Sequence, residues 1–373
     1  MNILLINYEY PPIGAGAANA TYYMAKSFIE LGHQVVVLTA GFKDKVGYEL
    51  ENGVHVYRVP SQRKKISSSS VTEMLSYVWH ANKQLKAIIK KHEVQKAILF
   101  FSIPCGVLGP VLLKKYKIPY IISLRGGDVP GMEKGISNIH TLITPFRRRI
   151  LQQAHAIIAN SVGLAKASES ADPFPVMVIP NGVDTNLFKP IERTANNIFT
   201  FLFVGRFQTQ KNLEVVLQTF AAACKNKPVQ ITLIGYGPLK ESLLKQAKTL
   251  AIEKQLHWLP WQTKENLKKC YQAADCLINF SLYEGMPNVV LEAMACGLPV
   301  IASNIMGHEE LIEDGETGFL VDLNNKVAFE KALITLLNDE DLRKKMGAKS
   351  KLNVEENYSW HKVADSYLLH LKN

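Results

Sequence analysis

Short apolar runs alternate with helix-like stretches along this chain, and the alternation happens twice. In the first half the runs are "NILLIN", "GHQVVVLTA", "VHVYRV", "KAILFF", "PYIISL", "AHAIIANS" and "PVMVIPNGV". Runs of this length, flanked by Gly and Pro and separated by helical patterns, mark strands buried on both faces of a parallel sheet. The segment "VDTNLFKPIERTANNI" then breaks the pattern: it is polar, aperiodic and contains Pro190. After it the alternation restarts. "FTFLFVG" precedes a helix near 212–224, "VQITLIGYG" one near 238–253, "QLHWLP" one near 264–273 and "ADCLINFS" one near 287–295, before "LPVIAS" and "TGFLVD". This predicts an α/β protein of two doubly wound domains, residues 1–190 and 191–358, facing each other across a cleft at the carboxyl ends of their strands. The last stretch, 359–373, reads as an amphipathic helix. A length of 373 residues suits two cores rather than one.

Composition narrows the class. Hydrophobic residues at 47% and charged ones at 20% are ordinary for a soluble globular protein. The five cysteines are Cys105, Cys224, Cys270, Cys276 and Cys296. They form no C-x-x-C pair, which points to reduced thiols in a cytoplasmic setting and away from a disulfide frame or zinc site. "MNILLIN" reads as a first strand rather than a secretory leader. The most membrane-like stretch, "AILFFSIPCGVLGPVLL", is interrupted by Pro104, Gly106, Gly109 and Pro110, and reads as strand, turn and helix. Residues 1–190 hold 22 Lys and Arg against 12 Asp and Glu, while 191–373 hold 21 of each, so the net charge of +10 sits in the first half. Clusters such as Arg63-Lys64-Lys65, Lys90-Lys91, Lys114-Lys115 and Arg147-Arg148-Arg149 are either a solvated basic face or a docking surface for an anionic membrane.

Three places carry residues suited to chemistry. Gly14 and Gly16, in "YEYPPIGAGAAN", stand at the mouth of a helix, where the backbone can approach an anion. A dinucleotide fingerprint fits poorly, because Asn19 replaces the third glycine, the glycines lie six residues past the strand, and no acid ends the second strand at Thr39. A plain turn is the other reading. In "FVGRFQTQKN", Arg206 follows a strand and Lys211 comes five residues later; two cations at a strand's carboxyl end suit a diphosphate, or are simply solvated. In "YEGMPNVVLE", Glu284 falls in a loop and Glu292 on the helix that Pro287 opens and Gly297 closes. A carboxylate accepts both hydroxyls of a vicinal diol, as sugars and riboses present. Alternatively Glu284 only complements the helix N-terminus and Glu292 pairs with a surface cation.

In this order and context, Arg206, Lys211, Glu284 and Glu292 resemble the retaining nucleotide-sugar glycosyltransferases of family four (group 1), whose GT-B fold sets two Rossmann-like domains face to face. Matching segments run almost end to end: "GAGAAN", "IIANS", "IPNGVDTNLFKP", "VGRFQTQKN", "LIGYGPLKESL", "AADCLINFSLYEGMPNVVLEAMACGLPVIAS", "EELIEDGETGFLV" and "YSWHKVA". The resemblance implies an N-terminal acceptor-binding domain, a C-terminal donor-binding domain and a terminal helix that packs back on the first. It implies that Arg206 and Lys211 hold the donor's diphosphate and stabilise charge developing there. Glu292 would bind ribose hydroxyls and Glu284 those of the donor sugar. The segment Gly285, Met286, Pro287 and Asn288 would border the diphosphate, with Gly14 and Gly16 closing over it. It implies a UDP-sugar donor, a glycan, lipid-linked or small-molecule acceptor, and no cofactor or metal.

Two departures stand out. Several family members have a His at the end of a first-domain strand, where this chain has Arg125, with Asp128 following, in "SLRGGDVPG". Arg cannot serve as a base at neutral pH, so a proton-shuttling role does not carry over. Arg125 is a candidate contact for donor sugar or acceptor; Asp128 orients the acceptor or holds the loop. Pro260 in "HWLPWQT" stands where a Gly is usual, which leaves the nucleobase open. Acceptors are expected on loops near 60–75 and 126–146. The competing class is a non-catalytic basic module for an anionic membrane or nucleic acid, though no nucleic-acid motif supports the latter.

Overall fold

The computed structural model describes residues 1–14, 16–66, 69–130, 137–192 and 198–372, with backbone alone for 137–141. The expected acceptor loops therefore fall partly outside the described residues, at 67–68 and 131–136. The chain divides into two compact units, one of Met1–Gly182 with Trp360–Asn373, the other of Val183–Ser359.

The first unit is built on an eight-stranded sheet. Its elements are β1 (Asn2–Ile6), α1 (Gly16–Glu30), β2 (Gln34–Ala40), β3 (Gly47–Glu51), β4 (Val54–Val59), α2 (Val71–His92), β5 (Lys96–Phe100), α3 (Gly109–Tyr116), β6 (Tyr120–Leu124), α4 (Ser137–Gln153), β7 (Ala156–Ala159), α5 (Val162–Ala171) and β8 (Met177–Val178). The order across the sheet is β3-β4-β2-β1-β5-β6-β7-β8, parallel except for β3. Successive residues of β1 point to opposite faces, and both faces are covered. Leu4 and Ile6 join Tyr77, Ala81 and Leu85 of α2, Leu112 of α3 and Ile150 of α4, while Ile3 and Leu5 join Met24 and Phe28 of α1. Double-sided burial is why these strands read as unbroken apolar runs. The antiparallel β3 is attached by a tight turn at Asn52 and Gly53, both at positive φ.

The second unit repeats the plan with β9 (Phe199–Val204), α6 (Leu213–Cys224), β10 (Val229–Ile234), α7 (Lys240–Leu250), β11 (Leu256–Leu259), α8 (Lys264–Ala273), β12 (Cys276–Asn279), α9 (Asn288–Ala295), β13 (Val300–Ser303), α10 (Met306–Glu309), β14 (Gly318–Val321), α11 (Lys326–Asn338) and α12 (Glu340–Asn357). Its six strands are ordered β11-β10-β9-β12-β13-β14, all parallel. Phe201 and Phe203 face α6 and α11; Leu202 and Val204 face α8 and α9.

Residues 183–190, assigned to the first half by sequence, belong to the second unit. The Val183 N–H bonds to the Tyr358 carbonyl at 2.8 Å, and Val183 and Phe188 are buried with α8 and α9. Pro190 lies beyond the change of unit and does not mark it. The last helix, α13 (Trp360–Lys372), returns to the first unit. It lies along α1, with the Trp360 indole stacked on Tyr23 at 5.6 Å and an interplanar angle of 5°, and with the Tyr367 hydroxyl 2.8 Å from Ser123 Oγ under β6.

Candidate functional site

In the second unit the sequence-predicted residues cluster at the carboxyl ends of β9 and β12. After β9 the chain is stapled to the end of β10: Gly205 N–H reaches the Ile234 carbonyl at 3.0 Å and Phe207 N–H the Tyr236 carbonyl at 2.8 Å. With Gly205 and Phe207 turned inward, Arg206 is exposed, and it makes no ion pair among the described residues. A short 3-10 turn, Thr209–Lys211, then leads to Asn212 at φ 52° and into α6.

The loop after β12 is fastened to this turn by two bonds. Leu282 N–H donates to the Gln210 carbonyl at 2.8 Å, and Gln210 Nε2 donates to the Tyr283 carbonyl at 2.8 Å. They bring Lys211 Nζ onto Glu284 Oε1 in a close ion pair whose side chains are only 14% and 10% exposed. Ser281 Oγ lies 2.7 Å from the same carboxylate oxygen and 2.8 Å from Asn279 Oδ1. From the other side α10 backs Gly307 onto the loop so tightly that a Cβ there would sit 2.5 Å from the Gly285 carbonyl oxygen.

This packing buries His308, which sequence reasoning missed. Its Nδ1 lies 2.8 Å from the Ser303 carbonyl, an acceptor, so Nδ1 carries the proton. Nε2 is buried with no partner among the described residues. Burial pushes its pKa down, with Lys211 adding to that effect and the Ser303 carbonyl and Glu284 opposing it, so the ring is neutral. Ser303 Oγ in turn donates to the Ser281 carbonyl at 2.5 Å. Nothing in "SNIMGHEEL" alone separates this His from a surface one.

Glu292 meets different groups. Half-buried on α9, it accepts from the fully buried Tyr271 hydroxyl at 2.9 Å. Burial pushes its carboxyl up to about 7, against the Tyr271 hydrogen bond and the charge of Lys264, which lower it. Of the connecting residues, Gly285 has open space around its Cα, Met286 packs on the core beneath α9, and Pro287 is buried as the N-cap of the helix that Asn288 begins. Pro287 thus stands one residue earlier than the first-turn position expected of it. Gly297 follows the C-cap at φ 74°, as expected.

In the first unit Gly14 adopts φ 90°, and its N–H bonds the Ile66 carbonyl at 2.9 Å. A Cβ there would meet the Glu9 side chain at 2.7 Å. Gly16 is exposed at the first turn of α1. The turn is held by Arg63, whose guanidinium reaches the Lys65 carbonyl at 3.0 Å, the Ile66 carbonyl at 3.1 Å and Glu9 at 3.4 Å. Arg63 is 7% exposed and Arg147, paired with Asp172 at 2.8 Å, only 2%. Two members of the supposed surface clusters are therefore internal.

Arg125 and Asp128 follow β6. Asp128, 4% exposed, takes the backbone N–H of Ser102 at 2.6 Å, of Arg125 at 3.1 Å and of Gly126 at 3.2 Å. Its two oxygens are thereby committed to holding the loop. Arg125 donates from Nη1 to Asn181 Oδ1 at 2.7 Å and lies over the Phe100 ring at 4.8 Å.

Two doubly wound α/β units, with a Lys–Glu pair at the strand ends of the second, define a GT-B-type chain. Among solved structures, sucrose-phosphate synthase from Thermosynechococcus elongatus shares this fold with a TM-score of 0.82 at 20% identity, over 100% of this chain and 98% of that one. The model described as Glycosyltransferase Family 4 matches residues 14–187, and that described as Glycosyl transferases group 1 matches residues 184–353. The chain belongs to the group 1 glycosyltransferases of family four. It is 22% identical to the Bacillus anthracis N-acetyl-alpha-D-glucosaminyl L-malate synthase over 96% of this chain and 93% of that protein. It is also 26% identical to the Escherichia coli UDP-Gal:alpha-D-GlcNAc-diphosphoundecaprenol alpha-1,3-galactosyltransferase over 79% of this chain and 77% of that protein.

Proposed function

We propose that the protein is a retaining glycosyltransferase that moves a sugar from a UDP-sugar to a glycan, lipid-linked or small-molecule acceptor. The reading is carried by one observation: two loops at adjacent strand ends are tied together so that Lys211 and Glu284 converge. Membership of the family supports it, as does the uridine diphosphate sugar in the name of the Escherichia coli relative.

In this scheme Lys211 and the exposed Arg206 receive the diphosphate, and Gly285 allows close backbone approach. Glu284 accepts hydroxyls of the donor sugar and Glu292 those of the ribose. As the bond from the sugar's anomeric carbon to the β-phosphate oxygen breaks, its electron pair stays on the diphosphate, where the two cations stabilise the charge. The acceptor hydroxyl attaches on the same face and its proton passes to the departing phosphate oxygen, which needs no basic side chain on the first unit. Arg206 and Lys211 supply the positive charge, so the scheme calls for no metal and no cofactor. The first unit takes the acceptor.

An anionic bilayer is the proposed setting. On α2 the exposed Val71, Leu75 and Trp79 lead into the exposed Lys83, Lys86 and Lys90, an order that suits insertion of an apolar end beneath a cationic one. No described helix is long and apolar enough to cross a membrane. Hydrolysis of a panel of nucleotide sugars tests the main reading without an acceptor. UDP-sugars should be turned over by the native chain and not by Lys211→Ala of unchanged circular dichroism. Full turnover by that variant would defeat it.

A further inference from the structure

From the surroundings of Arg125 we infer that the first unit contains a receptor for a phosphate or carboxylate anion at the carboxyl end of β6. A guanidinium offers five N–H donors, and here few are used. Nη1 bonds the neutral Asn181 carboxamide at 2.7 Å, Nη2 lies 3.9 Å from the Met24 sulfur, and Nε is buried without a hydrogen-bond partner among the described residues. One face of the group is covered by Phe100 at 4.8 Å. No carboxylate lies within ion-pairing distance among the described residues.

Asp128 is the acid that could have served, and the fold has spent it. Its oxygens receive three backbone N–H groups, one of them Arg125's own. The Tyr367 hydroxyl nearby is engaged with Ser123. The buried arginines of this unit are compensated: Arg58 by Glu51 at 2.7 Å, Arg63 by Glu9 at 3.4 Å and Arg147 by Asp172 at 2.8 Å, whereas Arg125 is partly buried, with its Nε fully so. A desolvated cation with idle donors is costly to keep, and an anion that brought its own oxygens would relieve it. Burial also weakens the hold of Arg125 on its proton, with Tyr367 and the Asp128 charge opposing that effect.

Two sources could bring that anion, the donor's diphosphate or an acidic acceptor, and both offer pairs of accepting oxygens that a guanidinium can meet with two parallel N–H groups. Only this choice of sources rests on the glycosyltransferase reading. The site itself is tested with inorganic phosphate on the full chain. Phosphorus NMR line broadening and thermal melting would be recorded for the native protein, Arg125→Gln and Lys211→Ala. Phosphate should raise the native melting temperature, and Arg125→Gln should weaken phosphate binding by about ten- to hundredfold, the span of a charge-assisted hydrogen bond. Without phosphate, Arg125→Gln should melt no lower than the native chain, since it removes a partly buried charge that makes no ion pair among the described residues. A purely structural arginine would instead melt several degrees lower when replaced and leave phosphate binding unchanged, and that result overturns the inference. UDP affinity then separates the sources. A drop in Arg125→Gln assigns the anion to the donor. Unchanged UDP affinity and donor hydrolysis, with transfer to anionic acceptors lost, assign it to the acceptor.

Discussion

Replacing Glu284 by Gln should tighten binding of UDP while crippling sugar transfer. In the free protein Lys211 and Glu284 neutralise each other, with 14% and 10% of their side chains exposed. A diphosphate can claim the ammonium only by displacing this carboxylate, and it also feels the carboxylate's repulsion. At an effective dielectric of about 20, unit charges about 4 Å apart interact by about 4 kcal/mol. Desolvation cancels much of that in a partly buried pair, which leaves about 1–2 kcal/mol of net competition. Glutamine keeps the shape and can still accept from Ser281 Oγ, but it no longer holds the lysine. UDP affinity should therefore rise by about 5- to 30-fold. Transfer from a UDP-sugar should fall by about two orders of magnitude, because an amide stabilises charge developing on the sugar far less than a carboxylate. Isothermal titration calorimetry with UDP reads the first effect and initial-rate assays the second. Weaker UDP binding in Glu284→Gln would refute the idea that the pair competes with the donor, whatever happened to the rate.

Three further outcomes follow from the carboxylates. With Glu292 raised to about 7, the ionised form that accepts a diol is lost as pH falls, so donor KM should climb by up to about tenfold per unit below pH 7, and Glu292→Gln should flatten the profile. Its effect on folding has the opposite sense. The folded carboxyl holds its proton more tightly than one at the ordinary 4.5, so this group favours the fold most in acid and loses that contribution between 4.5 and about 7; urea melts across this range would show it as a slope that Glu292→Gln removes. Asp128→Ala leaves three backbone N–H groups without an acceptor and should cost about 2–4 kcal/mol of stability by urea denaturation. An unchanged midpoint would mean the loop finds other acceptors.

The strands were legible because burial on both faces leaves a continuous apolar run, and the helices of the second unit because they fill the stretches between those runs; a side-chain cap marks α8 at Thr263, but α6, α7 and α9 have none. β3 was not, since "GYELE" is almost wholly exposed and is held only by its turn and its neighbour β4. The change of unit was placed at Pro190 because proline breaks patterns, whereas Val183 and Phe188 had already joined the second core. Residue types at the site could be singled out, yet the meeting of Lys211 with Glu284 depends on two loop-to-loop hydrogen bonds between residues more than 70 positions apart. Basic clusters also misled, for charge counts do not distinguish Lys64 at the surface from Arg63 beneath the glycine turn.

The return of α13 to α1 has a bearing on how the molecule is made. The first unit needs Trp360, Val363, Tyr367 and Leu371 to close one face of its sheet, so during synthesis that face stays open until the whole of the second unit has left the ribosome. The second unit, continuous from 183 to 359, can mature ahead of the one that precedes it. A nonsense mutation shortly before Trp360 would then spare the later-made half and leave the earlier-made half the target of chaperones and proteases.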